Sequence, residues 1–147
     1  MPQKYVPQGL KIGDDVRCFI YLDQDERLIA TTETPFAKVG EFAYLECTWV
    51  NEYGAFLNWG LMKDIFCPFR EQKRKMEIGE RYIVYIYIDE ESYRIVASAK
   101  VEHFLTDVLT IKNKDSEETD DNKIETGAEL PILIWQKSPL GFKVIID

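Results

Sequence analysis

The chain has 147 residues, 46% of them hydrophobic and 13% aromatic, with a formal net charge of −8. That composition excludes global disorder, and no apolar run approaches the roughly 18 residues of a membrane-spanning helix. No charged start followed by an apolar stretch marks the N-terminus, so a cytoplasmic protein without membrane association is expected.

Val16 to Leu22 and Leu28 to Thr32 read as strands joined by the polar turn Asp23-Gln-Asp-Glu26. Val16, Cys18, Ile20 and Leu22 share one face, and Arg17, placed with Phe19 and Tyr21, makes the opposite face the less buried one. Glu41 to Val50, Tyr53 to Asn58 and Asp64 to Pro68 follow as further strands, rich in β-branched and aromatic residues. Gly54 and Gly60 mark a bend or a close backbone approach among them. Arg70 to Met76 predicts a short polar helical connector. Tyr82 to Ile88 and Arg94 to Ser98 then form a second hairpin around Asp89-Glu-Glu-Ser92.

Apolar residues at 101, 104, 105, 108 and 109 have helical spacing, which predicts a short linker helix over Val101 to Leu109. Thr110 to Thr126 is polar and free of aromatics, the composition of a flexible loop. Gly127 to Asp147 closes the chain with one more apolar hairpin pattern.

Two repeats organise these elements. Lys11-Ile-Gly-Asp…Asp23…Arg27-Leu-Ile-Ala-Thr31 returns as Glu77-Ile-Gly-Glu…Asp89…Arg94-Ile-Val-Ala-Ser98. Gly127…Trp135…Gly141-Phe repeats, more weakly, the pattern Gly40…Trp49…Gly54-Ala-Phe. The repeats interlock: residues 39–101 hold a complete unit and 1–38 the C-terminal half of an earlier one. Residues 102–126 are a helix and acidic linker, and 127–147 the opening hairpin of a later unit. Five strands with a helical connector between the third and fourth describe an all-β OB-fold barrel. The chain therefore looks like a segment cut at both ends, or one whose half-units pair within the chain or across a homodimer to cover their exposed strand edges.

The acid excess is a poor guide to partners. Asp115, Glu117, Glu118, Asp120 and Asp121 crowd one segment, whereas Lys63, Arg70, Lys73, Arg74 and Lys75 gather in another. Local charge steers a polyanion more than the total does. Cys18, Cys47 and Cys67 lie far apart in apolar runs, which predicts buried free thiols rather than a metal site. His103 stands alone beside Phe104. With one histidine, no phosphate-cradling glycine loop and no nucleophile motif, neither an enzyme nor a cofactor is expected.

Tyr53-Gly-Ala-Phe-Leu57 and Asp89…Arg94-Ile-Val-Ala-Ser-Ala-Lys100 are similar to the second-strand turn and closing hairpin of the S1-type RNA-binding domain. A longer run resembles the conserved virulence factor B family, which strings S1-type domains ahead of a winged helix. It includes Glu26-Arg-Leu-Ile-Ala-Thr-Thr32, Val39-Gly-Glu-Phe-Ala43, Gly54 to Asp64 and Pro68-Phe-Arg-Glu-Gln-Lys73. The chain departs from that family in lacking a winged helix and in its longer acidic segment, 114–121.

The resemblance implies binding of single-stranded RNA and, through RNA, an effect on gene expression. By position, Tyr53 and Phe56 match the stacking aromatics and Asp89 and Arg94 the closing pair, while the family's third-strand histidine falls at Pro68. Lys63, Arg70, Lys73 and Lys75 would contact phosphates. The competing structural roles are core packing for Phe56, an Asp89–Arg94 ion pair, and turn anchorage for Trp59. The alternative function is a scaffold docking on transcription or translation machinery.

Overall fold

A computed structural model of the chain describes residues 1–23, 25–105 and 127–146. It divides into two compact units, Met1–Val101 and Glu102–Asp147. The first unit opens with a single 3-10 turn, Gln3–Tyr5, and a hairpin of β1 (Phe19–Leu22) and β2 (Leu28–Thr31). Then come β3 (Phe42–Val50), β4 (Gly54–Asn58), β5 (Ile65–Pro68), β6 (Arg81–Ile88) and β7 (Ile95–Ser98). These five close into a barrel in the order β3-β4-β5-β7-β6, antiparallel throughout except where β5 runs parallel to β7. The chain is thus all-β with an OB-type barrel, as the strand pattern predicts.

Period-two alternation builds the barrel interior. Leu45 and Cys47 of β3, Ala55 and Leu57 of β4, and Ile65 and Cys67 of β5 point inward. Val84 and Ile86 of β6, with Ala97 of β7, complete the core. Two glycines are sterically required. A Cβ on Gly54 would lie 2.9 Å from the Pro68 Cα and 2.8 Å from the Phe66 ring, so β4 approaches β5 too closely for any side chain there. Gly60 takes φ +92 with the Phe36 ring 3.0 Å from its would-be Cβ.

The structure corrects the sequence reading at several points. The connector at 70–76 is not a helix but a 3-10 turn, Phe69–Glu71, followed by an irregular stretch. The reason is Gln72: its buried amide donates to the Cys67 carbonyl at 3.0 Å and accepts the Met76 N–H at 3.0 Å, replacing the bonds a helix would make. The first hairpin is shorter than expected and buries the other face. Phe19 and Tyr21 pack against the core cluster, whereas Ile20 is 59% exposed. This hairpin does not line a barrel of its own here. It leans on the outside of the barrel through its aromatic rings, and Phe19 meets Trp59 edge-on at 5.6 Å.

All the cysteines are free, and Cys47 and Cys67 are buried, but Cys18 is only half-buried. The segment after β7 forms a 3-10 turn, Val101–Phe104. The remainder of the expected linker helix and the acidic segment 114–121 lie outside the described residues.

The second unit contains the hairpin β8 (Leu133–Ser138) and β9 (Gly141–Ile145). Its pairing slips between Ile134 and Gln136, while β3 slips against β4 between Cys47 and Trp49. Aligning Gly127 on Gly40 superposes these bulges and starts β9 at Gly141 just as β4 starts at Gly54. The weaker sequence repeat therefore has a backbone counterpart.

Candidate nucleic-acid interface

A groove of about 780 Å³ crosses the outer face of β4 and β5 in the first unit. The β3–β4 turn sets its rim. The Asn51 carboxamide oxygen accepts the N–H groups of Tyr53 and Gly54 at 2.9 and 3.1 Å, the local bonding that lets asparagine make a tight turn. That turn leaves Tyr53 68% exposed over the groove, next to Phe69, whose N–H donates to the Tyr53 carbonyl at 3.3 Å. Alternation along β4 turns Ala55 and Leu57 inward and Phe56 outward. Phe56 faces Phe66 across the β4–β5 ladder, with ring centroids 5.2 Å apart and planes tilted by 40°. Phe56 is therefore a groove residue braced by a second ring, not a core residue. Pro68, on the outward face of β5 with Phe66, lines the groove at the position where the S1-type pattern has histidine.

Charged side chains flank this aromatic floor. Arg70 reaches Asp89 at 2.9 Å and Glu91 at 3.8 Å. The Ser92 hydroxyl, the Ser92 N–H and the Arg70 charge together hold the Asp89 carboxyl below the usual carboxylate range. Arg94 reaches Glu26 of the first hairpin at 3.4 Å, so the closing pair is split between two outside partners. In the earlier repeat the equivalent Asp23 and Arg27 bind each other at 2.9 Å. The Lys63 ammonium donates to the Leu22 carbonyl at 2.9 Å. Burial, and then the neighbouring Arg94 charge, lower its pKa from the ordinary lysine value. Trp59 anchors the β4–β5 turn, its indole N–H donating to the Lys63 carbonyl at 2.6 Å.

Of the residues singled out from sequence, Tyr53, Phe56, Lys63, Arg70, Asp89 and Arg94 all converge on the groove. Lys73 does not line it and stands exposed on the connector. Lys75, also exposed, lies over the Phe69 ring at 5.9 Å. The sequence reading missed Phe66, Phe69 and the wall formed by Tyr21, Leu22 and Glu26. Phe66 was detectable, since it shares with Pro68 the strand parity opposite to Ile65 and Cys67.

The arrangement combines π faces at several heights with cations already held in place. Each cation is occupied by an internal acceptor. The Arg94–Glu26 pair, with both side chains open to water, contributes only about 0–1 kcal/mol, so a phosphate could displace it. The S1 domain family model matches residues 1–33 and 39–100. The chain belongs to the S1 domain family. It is 42% identical over 58 residues to "Uncharacterized protein YitL" of Bacillus subtilis (strain 168), an alignment covering 39% of this chain and 20% of that protein. Among solved structures, a multidomain protein with nucleic acid binding domains from Streptococcus pneumoniae TIGR4 superposes with a TM-score of 0.56 at 20% identity. That match covers 98% of this chain and 48% of the other, so the chain spans about half of the solved protein or less. At that identity the likeness concerns the fold.

Proposed function

We propose that this S1-family chain holds single-stranded RNA along the β4–β5 groove, and that it acts in the cytoplasm as a regulator of gene expression. The observation that carries the reading is the convergence of Tyr53 and Phe56 with Lys63, Arg70 and Arg94 on one groove. Unpaired bases stack on aromatic rings while positive groups follow the phosphates, and a single strand exposes both at once. The fold likeness to the Streptococcus pneumoniae multidomain protein with nucleic acid binding domains supports the same reading. The finer likeness to the virulence factor B proteins, carried by the sequence blocks from Glu26 to Lys73, favours RNA and a regulatory role. The proposal is one of binding, with no reaction and no cofactor.

The test is a salt-dependent titration of labelled single-stranded RNA, with DNA of the same sequence alongside. Phe56→Ala should weaken binding by the roughly 1–3 kcal/mol that one stacked base contributes. Arg94→Ala should weaken it less and reduce the logarithmic salt slope by about 0.7. If neither change weakens binding, or no binding occurs at low salt, the reading fails.

A scaffold docking on transcription or translation machinery is the second reading, and β8–β9 favours it. Ile134, Phe142 and Val144 are exposed there. The bulge alignment also puts Gln136 and Lys143 where β3 and β4 carry Trp49 and Phe56. At those two register positions the hairpin has polar side chains in place of the outward aromatics of β3 and β4.

A further inference from the structure

The groove does not stop at the barrel's own aromatic face. Beyond Phe56 it continues into a second cavity, also about 780 Å³, which shares Tyr21, Lys63 and Arg94 with the first and runs out to Trp49 and Lys4. Its far wall is the first hairpin, fixed to the barrel by the Phe19–Trp59 contact and the Lys63–Leu22 bond. The N-terminal segment closes the end, with the Thr32 hydroxyl donating to the Tyr5 carbonyl at 2.8 Å. The Tyr21 phenol is half-buried in this wall against Tyr5, and desolvation first, then Tyr5, push its pKa up to about 12.

Trp49 occupies this extension because of a bulge. Leu45 and Cys47 point into the barrel, so strict alternation would send Trp49 inward as well. The register shift between Cys47 and Trp49 breaks that parity. Val50 turns to the core, and Trp49 is left 60% exposed as the cross-strand partner of Phe56. The bulge is held in place: the Thr48 hydroxyl lies 3.2 Å from the Phe56 carbonyl oxygen and within hydrogen-bond reach of the Asp64 carboxylate. Bulges of this kind re-aim a side chain at a functional surface. The largest stacking surface a side chain offers thus sits exposed beside Phe56, in a cavity continuous with the groove.

We propose that Trp49 is a further base-stacking platform, which carries the bound single strand past the barrel onto the wall supplied by the first hairpin. The inference rests on the RNA-binding reading and deepens it, adding that the strand bound is longer than the Tyr53–Phe56 face alone would hold. Recognition at this end is by stacking. Lys4 is a cation there, over the Tyr5 ring at 4.8 Å, and Asp23 and Asp64 share the cavity.

The experiment is a length series of oligouridylates from about 4 to about 16 nucleotides, the range of OB-fold site sizes, titrated against the full chain. Wild type should gain affinity with length. Trp49→Ala should remove that gain, weakening the longest oligomers about fivefold or more, while leaving the shortest oligomers and the salt slope unchanged. Trp49→Phe should retain most of the gain, and Phe56→Ala should weaken every length. A length series that depends on Phe56 but not on Trp49 overturns the inference alone, as does equal weakening of short and long oligomers by Trp49→Ala. No binding by wild type at any length overturns the RNA reading and this inference with it.

Discussion

Glu26→Gln tests whether the groove's own carboxylates compete with an incoming phosphate. Arg94 lies 3.4 Å from the Glu26 carboxylate, with the side chains 37% and 70% exposed. A pair this open to water contributes about 0–1 kcal/mol, so losing it should move the unfolding midpoint by no more than about 4–8 °C. In binding, the same quantity acts with the opposite sign, because RNA no longer has to displace the carboxylate. Affinity for a labelled oligouridylate should rise by up to about fivefold, the factor equivalent to about 1 kcal/mol. The logarithmic salt slope should steepen by less than the roughly 0.7 of a new phosphate contact, because Arg94 meets its phosphate in wild type too. The gain should shrink as salt rises, since the screening length falls from about 30 Å at 0.01 M to about 8 Å at 0.15 M. Fluorescence anisotropy at several salt concentrations reads all of this. Affinity unchanged or weakened at low salt would refute the competition, as would a gain that persists at high salt.

Further outcomes follow from the barrel itself. Gly54→Ala forces a Cβ against the β5 backbone and should cost about 1–3 kcal/mol of stability, seen as a lower urea midpoint; an unchanged midpoint would show that the close approach relaxes freely. The Ser92 bonds and the Arg70 charge hold the folded Asp89 carboxyl below the usual carboxylate range, so its contribution is complete above the unfolded pKa and is lost as pH falls through the folded one. Below about pH 4, Asp89→Asn should therefore lose stability less steeply than wild type, and parallel pH profiles would contradict this. Burial pushes the Cys67 thiol up to about 12 and raises that of Cys47, so a thiol reagent at neutral pH should label half-buried Cys18 first. Cys18→Ser should abolish the fast phase, and rapid native-state labelling of Cys67 would sink the assignment.

The barrel was legible because its strands alternate cleanly and its turns are marked by Asn51, Gly60 and the Asp89–Ser92 run. The first hairpin was not, because both of its faces are apolar: Ile20 and Leu22 on one, Phe19 and Tyr21 on the other. Periodicity finds such a strand but cannot say which face is covered; that depended on Trp59, which is distant in sequence. The Asp89–Arg94 pairing failed for a related reason. Sequence proximity across a hairpin suggests a pair, yet Arg70 and Glu26, brought in by other segments, supply the partners. Trp49 was hidden by the bulge, since strand parity alone assigns it to the core.

The leaning hairpin also bears on inheritance. Residues Phe19–Thr31 follow the plan of one repeat's closing strands, yet they wall the groove of the next barrel. The stretch that repeats and the stretch that works are therefore out of step by half a period. A barrel excised or transplanted alone would keep Tyr53 and Phe56 but lose Tyr21, Leu22 and Glu26, and with them one side of its cleft. In any array built on this plan, recombination that respects barrel boundaries would break sites, while recombination through the middle of barrels would preserve them.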